Sequence, residues 1–228
     1  MNTLNTTEAT FAQLADRARA LAFGGERVVL GITGAPGAGK STLAERLVDE
    51  LGPELSVLVP MDGFHLANAV LHDLDRHTRK GADDTFDAWG YAALMQRIRR
   101  QRGGASGGRE DIIYAPHFRR DLEEPIGSTI PVLPSTPLVV TEGNYLLLDR
   151  QPWPQAREAI DEVWFLAPTE AQRLEQLIER HERFGRSPEE ARERSLGSDQ
   201  RNAEVIAATA GRADLVVRLL DEPSPLSA

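Results

Sequence analysis

Eight consecutive residues match the pattern G-x-x-x-x-G-K-[ST], whose spacing of glycine, lysine and hydroxyl is typical of a loop that binds phosphate groups. These residues are Gly34, Ala35, Pro36, Gly37, Ala38, Gly39, Lys40 and Ser41, and Thr42 follows them directly. Glycines let successive backbone N–H groups turn toward phosphate oxygens. We therefore expect 34–42 to contact a nucleoside triphosphate, with Lys40 at the β- and γ-phosphates and the Ser41 hydroxyl on Mg²⁺.

The neighbouring segments decide between a phosphate-binding loop and a chance glycine-rich turn. An apolar run over 28–33 precedes the motif, and 42–51 has the pattern of a helix. Strand, glycine loop and helix is the order in which such loops occur, and a helix N-terminus adds partial positive charge. The context therefore favours nucleotide binding over a turn without function.

Two carboxylates follow apolar runs that read as strands. Asp62 comes after 57–61, and Glu142 comes after 137–141. At the carboxyl end of a strand, beside a phosphate loop, Asp62 would orient an acceptor hydroxyl and take its proton. Glu142 would hold Mg²⁺ and lie beside the substrate. The structural alternatives are a turn aspartate for Asp62 and a helix-capping or surface glutamate for Glu142.

Four arginines lie on or just after a helix predicted over 169–184, namely Arg173, Arg180, Arg183 and Arg186. Arg173 and Arg180 are seven residues apart and therefore share a helix face. On a mobile lid over about 172–195, Arg173 would contact the nucleotide and Arg180 would stabilise transition-state charge. The interleaved glutamates are equally typical of a solvated helix with salt bridges.

Two polar and aromatic segments, 79–87 and 114–120, read as loops that leave the predicted sheet. Such loops commonly carry binding residues. Besides Asp62 and Glu142, the candidates for substrate contacts are His65, Lys80, Tyr114, His117, Arg119 and Arg120. Their side chains suit a carboxylate, a phosphate or a polyol, although a structural role is equally consistent with the sequence.

Alternating apolar strands and helices must position these groups. The predicted strands are 28–33, 55–59, 111–114, 129–132, 137–141, 162–166 and 215–219. The predicted helices are 7–21, 42–51, 87–100, 169–184 and 188–210, the last with a break near Gly197. A flexible loop is expected at 103–108 and a frayed tail at 221–228. This order indicates an α/β fold with a mainly parallel sheet between two helical layers and a small helical lid, in one domain over 1–228.

Composition narrows the class of protein. The 228 residues are 41% hydrophobic, carry a net charge of −9, and include no cysteine and only two lysines, Lys40 and Lys80. The acidic balance argues against a nucleic-acid partner, and the lack of cysteine excludes disulfides and thiolate metal sites. Without a long apolar stretch or a secretory signal pattern, we expect no membrane partner and a cytoplasmic location. A homodimer is compatible with the sequence.

The combined motifs are similar to those of a known family. The phosphate loop, the segment 60–66 (Pro-Met-Asp-Gly-Phe-His-Leu), the segment 140–143 (Val-Thr-Glu-Gly) and the arginine-rich lid resemble the phosphoribulokinase/uridine kinase group of P-loop kinases. The resemblance is closest to its short bacterial members of the nucleoside/nucleotide kinase-like and fructose-transport-system kinase type, and it extends over 28–217. It implies a P-loop NTPase fold, the cofactors ATP and Mg²⁺, Asp62 as general base, Glu142 near the metal, and lid arginines.

The resemblance leaves the acceptor open. Gly63, Phe64 and His65 follow the aspartate, where uridine kinases carry a hydroxyl residue and then Phe-Tyr. The Asp-Gly-Phe series is similar to that of type I pantothenate kinases. We therefore expect an ATP-dependent kinase that acts on a hydroxyl of a sugar, a nucleoside or a pantothenate-like molecule. The alternative is a nucleotide-sensing ATPase module that regulates a partner protein.

Overall fold

A computed structural model of the chain describes residues 5–101 and 111–220. The predicted loop at 103–108 and the predicted tail at 221–228 lie outside the described residues. Within the described ranges, no helix has the length and apolar character needed to cross a membrane.

Eight strands occur in these ranges: β1 (Thr7–Ala9), β2 (Val28–Gly34), β3 (Ser56–Leu58), β4 (Ile113–Arg119), β5 (Glu124–Val132), β6 (Leu138–Glu142), β7 (Glu162–Leu166) and β8 (Leu215–Leu219). Six of them form one sheet in the order β1-β8-β7-β2-β6-β3, and every pair of neighbours is parallel. The phosphate-loop strand β2 lies between β6 and β7. The carboxyl ends of these strands therefore meet at one edge, where ligands bind in sheets of this kind.

The described helices are α1 (Phe11–Ala22), α2 (Lys40–Leu51), α3 (Asn68–Asp73), α4 (Ala88–Arg100), α5 (Trp153–Arg157), α6 (Glu170–Arg183), α7 (Pro188–Leu196) and α8 (Ser198–Ala207). Short 3₁₀ turns cover Met61–Phe64, His77–Arg79, Asp83–Thr85 and Ala210–Arg212. The expected break near Gly197 is present, because Gly197 separates α7 from α8.

Side chains of the sheet alternate between two hydrophobic cores. Leu30 and Trp164 pack with α1 and α2 on one face, whereas Val29 and Phe165 pack with α4, α5 and α8 on the other. Both faces are therefore covered, which explains why the strands are almost continuously apolar. The predicted three-layer α/β architecture is confirmed.

The amino-terminal prediction was wrong in one respect. The helix expected over 7–21 begins only at Phe11, because Thr7–Ala9 forms an edge strand that pairs with β8. Thr10 then caps the helix, and its side chain and that of Gln13 satisfy each other's backbone N–H groups. The helical spacing of apolar residues concealed this short strand.

The prediction of a loop over 114–120 was also wrong, since β4 continues to Arg119 and only Arg120 lies in the turn that follows. β4 and β5 form an antiparallel hairpin that is separate from the main sheet. The register shifts between Ala115 and His117, where the pairing of the two strands becomes irregular. The hairpin packs against the turn Met61–Phe64 and thereby brings its far end to the carboxyl edge of the sheet.

Candidate active site

The phosphate loop joins β2 to α2 and holds its lysine inside the molecule. Lys40 is 7% exposed, and its Nζ donates a hydrogen bond of 3.0 Å to the carbonyl oxygen of Ala35. Burial lowers the pKa of Lys40 to about 8, while the charge of Glu142 opposes that shift. An ammonium buried within a loop of N–H donors is a site for an anion.

Two cavities open beside this loop. One, the Asp62 cavity, has a volume of about 570 Å³ and is lined by Asp62, His65 and Lys80 among others. The second, the loop cavity, has a volume of about 410 Å³ and is lined by 37–43 and by side chains at the ends of β7 and β8. Five residues line both cavities, namely Lys40, Ser41, Arg120, Arg180 and Phe184. This shared wall is where a group can pass from one ligand to another.

The two predicted carboxylates lie at the ends of adjacent strands. Asp62 lies on the 3₁₀ turn that follows β3, and Glu142 is the last residue of β6. The glycine after each is required by close packing. A Cβ on Gly63 would lie 2.4 Å from the carbonyl oxygen of Pro116, and one on Gly143 would lie 2.6 Å from Met61. These glycines let the hairpin and the two strand ends approach each other.

A buried polar chain fixes the strand ends that carry the carboxylates. Thr141 donates a hydrogen bond of 2.7 Å to the carbonyl oxygen of Val59, and the Tyr91 hydroxyl lies 2.9 Å from Thr141 Oγ1. Since the Thr141 hydroxyl donates to Val59, Tyr91 donates to Thr141. The bonds tie β6, the end of β3 and α4 together directly beside Glu142.

The carboxylate of Glu142 is buried, and its pKa is raised. It is 4% exposed, and no donor in the described part of the chain bonds to its side chain. Burial raises its pKa to about 7, the charge of Asp62 adds to the shift, and Lys40 and two arginines oppose it. A desolvated carboxylate that lacks donors and lies beside a second carboxylate is suited to a cation with hard oxygen ligands.

Arg120 and Arg180 bring positive charge to the shared wall. Arg120 Nη2 lies 3.4 Å from Asp62 Oδ2, and the Arg120 guanidinium also stacks 5.6 Å from the centre of the Phe184 ring. Arg180 reaches the wall from α6. The hairpin and α6 therefore each supply one guanidinium to the same point.

His65 supports the turn that carries Asp62. Its Nδ1 lies 2.8 Å from the carbonyl oxygen of Asp62, which only accepts, so Nδ1 carries the proton. The ring lies 4.1 Å from that of Phe86 and 4.7 Å from that of Phe118. Burial lowers the pKa of His65, so the ring is neutral and its Nε2 remains an acceptor.

Three predicted contact residues are not brought to either cavity. Tyr114 is 52% exposed, and His117 and Arg119 are also exposed on the hairpin. Arg119 instead forms a bidentate ion pair with Asp121, at 2.8 and 2.6 Å. Phe118 and Arg120, their neighbours in sequence, line the Asp62 cavity. The strand pairing becomes irregular between Ala115 and His117, and no feature of the sequence marks that position.

Arg173 supports the phosphate loop from behind. It is 3% exposed, donates a hydrogen bond of 2.9 Å to the carbonyl oxygen of Pro36, and forms two bonds to the carboxylate of Glu170. It lines neither cavity, whereas Arg183 lines the loop cavity and Arg186 the Asp62 cavity. The structure thus places the four arginines of the predicted lid in different surroundings.

Several residues that line the cavities were not predicted from the sequence, Phe184 and Arg194 among them. Phe184 lies at the shared wall, and Arg194 of α7 lies in the Asp62 cavity. Gly185, directly after Phe184, marks the end of α6. This glycine was the one feature of the sequence from which a position for Phe184 at the end of a helix could have been predicted. Nothing in the sequence indicates that α7 turns Arg194 toward the site.

The parallel sheet, the phosphate loop and the carboxylates at adjacent strand ends define the class of P-loop kinases. Within that class, the chain belongs to the phosphoribulokinase/uridine kinase family, whose model matches residues 29–223. The resemblance stated from the motifs is thereby confirmed.

Three known proteins are similar to this chain over most of their length. A Schizosaccharomyces pombe protein named a "putative uridine kinase" is 31% identical over 227 residues, which cover 92% of this chain and 91% of that protein. The structure of a "putative fructose transport system kinase" from a Silicibacter species is 31% identical, has a TM-score of 0.78, and covers 91% of this chain and 98% of that chain. Phosphoribulokinase from Rhodobacter spheroides shares the fold, with a TM-score of 0.53 at 14% identity over 89% of this chain and 75% of that chain.

Proposed function

We propose that the protein is an ATP-dependent kinase that transfers the γ-phosphoryl group to a hydroxyl of a small metabolite. The observation that carries this proposal is the wall shared by the two cavities. Lys40 and Ser41 of the phosphate loop meet Arg120 and Arg180 there, and Asp62 lies on the side away from the loop cavity. Membership in a kinase family supports a phosphotransferase of this kind.

In the proposed arrangement, the loop cavity holds ATP. The backbone N–H groups of 37–42 and the Lys40 ammonium contact the phosphates. The apolar side chains at the strand ends, Leu166 and Val217, contact the nucleoside. The γ-phosphate then lies at the shared wall, between the guanidinium groups of Arg120 and Arg180, where charge that develops during transfer is stabilised.

The acceptor occupies the Asp62 cavity. The Asp62 carboxylate accepts a hydrogen bond from the reacting hydroxyl and takes its proton as the oxygen bonds to the γ-phosphorus, while the bond to the ADP oxygen breaks. Arg120, 3.4 Å from this carboxylate, orients it. Water is a competing acceptor, so closure of α6 and α7 over the site would favour transfer over hydrolysis.

Mg²⁺ fits the donor set. Ser41 Oγ and the buried carboxylate of Glu142 are hard oxygen ligands, and Glu142 accepts no hydrogen bond from the described residues. When bound, the ion would neutralise phosphate charge. A positive ion beside Glu142 would also return the pKa of that carboxyl toward its ordinary value.

A nucleotide-sensing ATPase remains the second candidate, but it leaves the Asp62 cavity without a use. The test compares ATP turnover by the purified protein alone and in a mixture of sugars, nucleosides and hydroxy acids, with phosphorylated products identified by mass spectrometry. We expect turnover to rise with a component of the mixture and a monophosphorylated product to form. Turnover that is independent of every component, with only inorganic phosphate released, would support the sensor instead.

A further inference from the structure

The chain has only two lysines among 26 basic residues, and both line the Asp62 cavity. Lys40 belongs to the phosphate loop. Lys80 follows the 3₁₀ turn His77–Arg79, away from that loop. Arginine is used in place of lysine everywhere else in the chain, so the two lysines indicate places where a compact ammonium is needed. Because they lie at two different places in the cavity, we infer that they have separate tasks.

Lys80 is held by neutral oxygens. Its Nζ donates a hydrogen bond of 2.7 Å to Asn68 Oδ1 and a second one to the carbonyl oxygen of Glu123. It lies 5.0 Å from the centre of the Phe118 ring and forms no ion pair with a carboxylate of the described ranges. An ammonium has three N–H donors. One donor therefore remains for a ligand in the cavity, and the nearby charges of Glu123 and Glu124 offset only part of the charge of the ammonium.

The loop that carries Lys80 is fixed before any ligand binds. Arg194 donates a hydrogen bond of 3.2 Å to the carbonyl oxygen of Lys80, and the Tyr145 hydroxyl donates one of 2.6 Å to that of Gly81. The Gly81 N–H donates to Thr85 Oγ1 at 3.0 Å. A positioned cation loses little conformational entropy when it binds an anion.

Arg194 adds a second cation at the same end of the cavity. Its side chain is half-buried, and its recorded bond is to a main-chain oxygen and not to a carboxylate. The carboxylates that line the cavity here are Glu123, Glu190 and Asp199. Two of them are engaged, since Glu190 Oε2 accepts from the backbone N–H of Ser187 at 3.1 Å and Asp199 Oδ2 lies 2.8 Å from His181 Nε2.

We propose that the acceptor carries an anionic group, a carboxylate or a phosphate, which binds Lys80 and Arg194 while its hydroxyl lies at Asp62. This inference rests on the proposed kinase function for the hydroxyl, but the cationic site stands by itself. The ring of His65 lies between the two ends, because its Nδ1 bonds to the carbonyl oxygen of Asp62 and the ring packs against Phe118, whose own ring lies 5.0 Å from Lys80 Nζ. The acceptor is thus a small hydroxy acid or a phosphorylated polyol rather than a neutral sugar.

The first test measures the cationic site without catalysis. Inorganic phosphate is titrated by calorimetry into protein saturated with Mg²⁺ and a non-hydrolysable ATP analogue, which occupies the phosphate loop. Lys80→Met should weaken phosphate binding by roughly 10- to 100-fold, the effect of losing a hydrogen bond to a charged group. The matched control is Arg79→Met, because Arg79 pairs with Asp84 outside the cavity and should bind phosphate as the wild type does. Equal binding by wild type and Lys80→Met, or no binding by wild type, would overturn the proposal.

The second test uses acceptors that differ only in charge, such as ribose, ribonate and ribose 5-phosphate, or glycerol, glycerate and glycerol 3-phosphate. We expect the anionic members to be phosphorylated with the higher kcat/KM, and Lys80→Met to raise their KM. Comparison of carboxylate with phosphate members identifies which anion fits. A higher kcat/KM for the neutral members would overturn the anionic class. Turnover of none would count against the proposed kinase, while the phosphate titration would still decide on the cationic site.

Discussion

The guanidinium Nη2 of Arg120 lies 3.4 Å from the carboxylate Oδ2 of Asp62, which joins the end of the β4–β5 hairpin to the end of β3. The hairpin is not part of the main sheet, yet it supplies a cation to the wall shared by both cavities. Arg120 therefore has two tasks in the proposed reaction, to orient the base and to stabilise charge on the transferred group.

Arg120→Met should lower kcat/KM for the acceptor reaction by roughly 10²-fold, the effect of removing one charge-stabilising donor. Arg119→Met is the matched control. Arg119 pairs with Asp121 at the surface, and we expect its loss to change the rate by about twofold or less. Equal losses in the two variants would show that the hairpin acts only through its fold. Steady-state rates with thermal denaturation as a folding check distinguish these outcomes.

Arg180→Ala should lower kcat by roughly 10²- to 10³-fold and change the KM for ATP much less, because a guanidinium at the shared wall acts on charge that develops during transfer. Arg192→Ala on the exposed face of α7 is the control. An increase in the KM for ATP with kcat retained would assign Arg180 to nucleotide binding.

Glu142 should give the ligand-free protein a characteristic dependence of stability on pH. Burial raises its pKa from the ordinary 4.5 to about 7, so the folded state binds a proton more tightly than the unfolded state does. The protonated carboxyl of Glu142 contributes its whole stabilising effect below pH 4.5. This contribution is lost as the pH rises through about 7. The free energy of unfolding of the wild type, relative to Glu142→Gln, should therefore fall across this window by roughly 1–3 kcal/mol.

Chemical denaturation of both proteins between pH 4.5 and 8 measures this difference. Saturating ATP and Mg²⁺ should make this difference in unfolding free energy depend less on pH, since a bound cation stabilises the charged carboxylate. A constant difference between the two proteins across the window would mean that Glu142 is charged throughout.

Arg173→Met should destabilise the protein and weaken nucleotide binding together. The substitution leaves the carbonyl of Pro36 without its donor and frees the carboxylate of Glu170, which is largely exposed to water. We expect the free energy of unfolding to fall by roughly 1–3 kcal/mol. Arg201→Met on the exposed side of α8 should change it by about 0.5 kcal/mol or less. If Arg173→Met weakens ATP binding without loss of stability, Arg173 contacts the nucleotide directly.

Local patterns were sufficient to predict five of the six strands of the sheet and the phosphate loop. The apolar runs around Val29 and Val139 are long enough, and far enough from turns, for their strands to be identified from hydrophobicity alone. Asp62 and Glu142 were predicted to lie at the carboxyl ends of strands, the edge of a parallel sheet where ligands bind. The same rule cannot give the burial of Glu142 or the close approach of Met61 to its neighbour Gly143.

Contacts between segments distant in sequence explain the rest. Thr7–Ala9 is a strand because β8 offers it an edge some 200 residues later, and a single sequence does not encode that proximity in any local pattern. Arg173 was predicted to contact the nucleotide, and the structure shows its guanidinium bonded to the carbonyl oxygen of Pro36 in the phosphate loop. On the hairpin, Phe118 and not His117 lines the cavity, just beyond the point where the strand register shifts.

The central claim is that Asp62 activates the acceptor hydroxyl, and the most direct measurement compares wild type with Asp62→Asn in acceptor-dependent ADP formation and in ATP binding. The asparagine keeps the shape of the side chain and removes the base. We predict a loss in kcat of roughly 10²- to 10⁴-fold, with the dissociation constant for ATP nearly unchanged. Retention of kcat together with a collapse of ATP binding would contradict the account and assign Asp62 to the metal or to the fold.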